Sequence, residues 1–185
     1  MSLVPEDGSV AVPVILVFTC TLFYYVCDKL ARRQNPEFDE QAERLSYDWW
    51  QLRLKKLHIG TVLTTIVSAL ATYKAASGNI GDLANGGAIG FLLFYHLSIY
   101  VWWYVLVSRL RLSFSAGIAC FVLFCGFVGL GFLAGASPLW AGLMAIPVVW
   151  DAYRFAHHYV LWRNNSDRLP QYAMAGVEED APEVV

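Results

Sequence analysis

The residues able to do chemistry are few, and they sit in apolar surroundings. Asp151 and Arg154 stand three apart inside a hydrophobic run. On a helix that spacing puts both on one face. Each ion is costly among apolar neighbours, so the two should pair or face a protein interior. Three uses stay open: a structural ion pair, a partner contact, or a site for a ligand or transported species. His157 and His158 follow them, and His96 lies far upstream. Two histidines on neighbouring helices could ligate a haem, so a haem-binding electron carrier is an outside reading. Hydrogen-bonded interior histidines need no cofactor. Cys20, Cys27, Cys120 and Cys125 all lie in apolar runs. Cys20 and Cys27 would sit roughly 10 Å apart along a helix axis, too far for a disulfide within one helix. No cysteine spacing resembles a metal site. There is no nucleophile–base pairing, glycine phosphate loop or carboxylate pair, which argues against an enzyme. No basic domain exists to bind nucleic acid.

These residues must be positioned by elements suited to lipid. Hydrophobic residues make up 57% of the chain and charged residues 15%, well under the roughly 25% charge of soluble domains. Seven tryptophans and ten tyrosines suit the interfaces of a membrane protein. Residues 10–27 form an uncharged run long enough to span. Residues 58–76 span if His58 sits at one interface and Lys74 snorkels at the other. Residues 83–108 carry no charge. From Leu112 to Trp150 there is again none, roughly 58 Å of helix and about twice the hydrocarbon core. That run must fold back, and Gly135-Ala136-Ser137-Pro138 is the turn, giving helices over 112–133 and 139–162. The expected fold is an all-α, five-transmembrane-helix bundle in one domain.

Charge placement orients it. Lys29, Arg32, Arg33, Arg44, Arg53, Lys55, Lys56, Arg109, Arg111, Arg163 and Arg168 fall on one side, against Lys74 alone on the other. The positive-inside rule then puts the first loop and the C-terminus together, with the N-terminus opposite. Ahead of the first run stand Glu6 and Asp7 and no positive charge, unlike a secretory signal or an Arg-rich presequence. In the first loop, Asn35-Pro36 reads as a helix start, followed by Glu37, Asp39 and Glu40. Phe38, Ala42, Leu45, Trp49 and Leu52 make one stripe, so an interfacial helix over 36–54 is expected. Trp49, Trp50, Trp162 and Arg163 would lie near the headgroups. A partner-protein surface would look the same. Gly131 and Gly135 have the spacing that permits close helix approach, within the bundle or at a homodimer face. Arg154, Tyr159 and Leu161 match a loose cholesterol pattern. The tail over 164–185 is polar.

The last helix carries a resemblance. Ser137-Pro138-Leu139, Trp150, Tyr153, and then Tyr159, Trp162, Arg163 and Asn165 resemble the translocator protein (tryptophan-rich sensory protein) family. That family has a Ser-Pro-Leu turn, then a Trp, a Phe-Ala pair and Asn-Tyr-x-x-Trp-Arg-x-Asn. Trp102 and Tyr100 fall on aromatics of its third helix, so the match runs over residues 84–165. It implies a translocator-protein-like five-helix fold, with a pocket among the helices for porphyrin or sterol. By analogy it implies a mitochondrial membrane. This chain departs at pocket positions. Leu54 to Gly60 lack the family's Pro- and Trp-rich stretch, Ile99 stands for an Asn, Arg154 for an Ala and His158 for an Asn. Asp151, Arg154, His158, Trp102 and Trp150 are the candidate interior residues.

Two functions follow as expectations. One is a non-enzymatic accessory subunit of a larger, respiratory-type mitochondrial membrane complex, with a degenerate pocket. It would have no cofactor, and its partners would be membrane lipid and other membrane-protein subunits. The other is a working sterol- or porphyrin-binding translocator. Bound lipid fits both.

Overall fold

The computed structural model describes residues 11–79 and 81–166, apart from the side chain of Lys55. Among these residues the fold is all-helical: α1 (Ala11–Gln34), α2 (Phe38–Glu43), α3 (Leu54–Ala76), α4 (Leu83–Arg109), α5 (Leu112–Ala136) and α6 (Pro138–Asn165). Four helices are long and apolar enough to cross a membrane: α1, α3 from Lys56, α4 and α5. That is compatible with an integral membrane protein. The fifth expected span, α6, has 28 residues. Its length suffices, but Asp151, Arg154 and two histidines reduce its apolarity.

The five long helices close into a ring. Helix α1 packs on α3, α3 on α6, α6 on α5, α5 on α4, and α4 back on α1, with α3 also touching α4. Large side chains fill the middle: Tyr95, Ile99, Trp102, Trp103 and Leu106 of α4 are fully buried. The outside is apolar, with Phe18, Phe94, Phe124 and Val149 exposed, as a lipid-facing wall requires.

Several local features differ from the expected ones. Helix α1 continues past residue 27, because Asp28 and Arg32 pair across one turn at 2.9 Å and hold the extra turns together. The loop helix is a single short piece, α2, rather than a helix over 36–54. Phe38, Ala42 and Leu45 are buried as the stripe requires. Beyond Arg44 the backbone unwinds, because its own N–H and C=O groups bond to α6 (below). Asn35 does not cap α2. Its amide donates to the Val107 carbonyl and to Gln41 Oε1, both at 3.1 Å. The α5–α6 turn is tighter than expected: Ser137 alone joins them, in extended conformation, with Pro138 opening α6. Asn164 and Asn165 belong with α6 rather than a tail, and residues 167–185 lie outside the described residues.

Of the expected pair, only Gly135 faces a neighbouring helix, where a Cβ would be in ordinary contact with Ala84 of α4 at 3.6 Å. A Cβ at Gly131 would meet nothing. One at Gly126 would touch Tyr95 and Val148, and one at Gly129 would touch Leu92, so those two let α4 and α6 close on α5. At Gly60 a Cβ would overlap the Trp150 ring. The absent side chain is what lets that indole lie flat between α3 and α6.

Candidate functional site

Helix α6 turns one stripe inward. Met144, Pro147, Asp151, Arg154, His158, Leu161 and Asn165 recur at three- and four-residue spacing, and all are buried. Pro147 removes one backbone donor from the helix ladder four residues before Asp151. Asp151 and Arg154 meet at 2.5 Å with both side chains fully buried. The contact is one of charge. Arg154 Nη2 faces Asp151 Oδ1, and the Tyr95 hydroxyl of α4 lies beside the same carboxylate. Across on α4, the Trp102 ring lies under the guanidinium, 4.4 Å from its carbon, a favourable cation–π placement in a desolvated site. The same indole meets His158 edge-on, with centroids 5.1 Å apart.

The histidine tautomers follow from their partners. His158 Nδ1 sits 2.8 Å from the Arg154 carbonyl. A carbonyl only accepts, so Nδ1 carries the proton and Nε2 is a bare acceptor. His157 Nε2 donates to the Leu52 carbonyl at 2.6 Å. Trp102 Nε1, Trp150 Nε1, His158 Nε2, and Arg154 Nε and Nη1 are buried without hydrogen-bond partners among the described residues. The site is therefore filled by side chains, yet rich in unspent hydrogen-bonding capacity.

Residues 44–53 seal its end. Asn165 takes the Ser46 N–H at 2.9 Å and donates to the Ser46 carbonyl at 3.1 Å. Gln51 donates to the His157 carbonyl at 2.8 Å. The Tyr153 hydroxyl accepts the Leu52 N–H at 3.0 Å. Burial is the largest influence pushing the Tyr47 phenol up to about 12, so it remains a donor, here to the Ala42 carbonyl at 2.9 Å.

A second network adjoins the first through Trp102 and Trp103, whose rings lie 5.5 Å apart. Trp103 Nε1 donates to Asp28 at 2.9 Å, Arg32 bridges Asp28 to Asp39, and the Tyr24 hydroxyl meets His58 Nδ1 at 3.0 Å. Sequence reasoning missed this group. The spacing of Asp28 and Arg32 was the one local signal. The Trp103–Asp28 bond joins residues 75 apart in the chain and leaves no periodic trace.

Of the expected interior residues, Asp151, Arg154, His158 and Trp102 come together. Trp150 stands beside them, against Gly60 and Tyr153. Trp49 is 97% exposed and Trp162 37%, and Arg163 is exposed. Trp50 instead packs edge-on against Tyr153 and His157. His96 stacks with Tyr100 and reaches Thr72, while His158 packs on Trp102. The cholesterol pattern does not share a surface: Tyr159 is exposed, whereas Arg154 and Leu161 are fully buried. The cysteines are free, and no group of three potential metal ligands occurs among the described residues. Comparison with protein-family models finds no match for this chain, and a search of curated proteins finds none.

Proposed function

We propose that this chain is a five-span, non-enzymatic membrane protein on a translocator-like scaffold. Its interior pocket has been filled, and it serves as an accessory subunit of a larger membrane assembly, by analogy in the mitochondrion. One observation carries the reading. Arg154 stands where the resembling family has a small residue, and it is fully buried between Asp151 and Trp102. A guanidinium committed to a carboxylate and an indole occupies space that a ligand would need. The sealing of the site by residues 44–53 supports the same conclusion.

The test is titration of purified protein with protoporphyrin, followed by tryptophan fluorescence, together with native purification. Absent or weak quenching and co-migration with a large complex are the expected results. A second reading has its own support, since Arg154 Nε and Nη1, Trp102 Nε1 and Trp150 Nε1 lack hydrogen-bond partners among the described residues and a porphyrin carboxylate could use them. Tight, saturable quenching that vanishes in Arg154→Ala would establish that reading and sink the first.

Five spans also fix the sides. Accessibility labelling of single cysteines placed at positions 7 and 180 is expected to mark opposite faces of the membrane. Labelling of both from one side would exclude an odd number of crossings.

A further inference from the structure

Away from the Asp151 site, a groove of about 270 Å³ opens in the outer wall between α1, α3 and α4. Leu16, Phe23, Leu93 and Tyr100 give it apolar and aromatic sides, and Thr72 and His96 lie at its inner edge. Phe23 and Tyr100 have ring centroids 5.1 Å apart, and Tyr100 stacks over His96 at an interplanar angle of 25°. His96 is 5% exposed and midway along α4.

The hydrogen bonds around His96 have a definite direction. The Thr72 hydroxyl donates to the Ser68 carbonyl at 2.9 Å. Its oxygen is then an acceptor for His96 Nε2, 3.4 Å away, so the ring proton is on Nε2. Nδ1 is left as a bare lone pair, buried and without a partner among the described residues. The Tyr100 hydroxyl cannot serve it, being given to the Cys20 carbonyl at 3.3 Å. A buried acceptor with no donor is unfavourable, and a donor brought in by a ligand removes that penalty.

We propose that this groove binds the ring of a neutral membrane lipid whose phenolic or hydroquinone hydroxyl donates to His96 Nδ1. Three observations select that chemistry. The unmet group is an acceptor, so the ligand must donate. His96 stands midway along a helix that can cross a membrane, so a charged headgroup would be excluded from its depth. The aromatic sides and a volume just under the roughly 300–1,000 Å³ of pockets that enclose whole drug-sized molecules suit one flat ring, with its apolar tail left in the lipid. This inference does not rest on the proposed function, because no residue of the groove belongs to the Asp151 site.

The experiment uses the full chain in lipid nanodiscs, with para-nonylphenol and its methyl ether as probes. They are alike in shape and differ in the donor. The phenol is expected to bind about tenfold more tightly, the ratio one such hydrogen bond supports. His96→Phe should bring the two to equal affinity, whereas His96→Asn, which keeps an acceptor near the Nδ1 position, should preserve the preference. In the unaltered protein, ¹⁵N resonances should show the phenol, and not the ether, perturbing His96 Nδ1, a readout independent of how the variants fold. Equal affinities for the two probes, a preference surviving in His96→Phe, or an unmoved Nδ1 resonance would overturn the proposal. So would cholesterol displacing the phenol with the greater affinity, which would make the groove a sterol site.

Discussion

Asp151→Ala and Arg154→Ala are each expected to destabilise the fold by about 3–5 kcal/mol, the usual cost of stranding one ion of a buried pair. The double variant should lose far less than the two losses added together, because removing both ions also removes both desolvation penalties. Replacing the pair by leucine and methionine should come close to neutral, since hydrophobic residues of similar volume often substitute for buried ion pairs without loss. Both side chains are fully buried, so neither ion can fall back on water when its partner is removed. Equilibrium unfolding in mixed micelles measures all four proteins. Simple additivity would show that each ion is held by something other than its neighbour.

The adjacent tryptophans of α4 should answer differently to the same change. Truncating Trp102 to alanine is expected to cost about 3–5 kcal/mol, as for other large buried aromatics, with the cation–π contact to Arg154 lost as well. Trp102→Phe should recover most of that, because Trp102 Nε1 has no partner to lose. Trp103→Phe should be the worse of the two phenylalanine variants, by about 1–3 kcal/mol. It removes the donor 2.9 Å from Asp28 and leaves that carboxylate bound to Arg32 alone. Thermal unfolding of the two variants side by side is the check, and equal losses would mean that the Trp103–Asp28 bond contributes nothing.

Together the two experiments separate two kinds of buried polar residue. Asp151 and Arg154 answer each other within one helix. Trp103 and Asp28 tie α4 to α1, and through Arg32 they tie both to the first loop. Loss of the first pair should weaken the interior, whereas loss of the second should also loosen α2, which Arg32 holds through Asp39.

By itself the sequence determined what depends on neighbours along the chain. Long uncharged runs make apolar helices, because a backbone without water must bond to itself. The all-helical class and the four apolar helices were therefore legible, as was the shared face of Asp151 and Arg154, since a three-residue separation on a helix permits little else. Tertiary structure decided what depends on partners distant in sequence. Residues 44–53 carry an apolar stripe, and pattern alone predicts a helix there. The Asn165, Tyr153 and His157 side chains take the backbone N–H and C=O groups of Ser46 and Leu52, and those bonds replace the helical ones. The same holds for His96, which periodicity places on α4 without saying which ring nitrogen holds the proton. Thr72 and Ser68, on another helix, settle that. Local periodicity reports the burial of a face, whereas the partner a polar atom finds there depends on which helices the ring brings together.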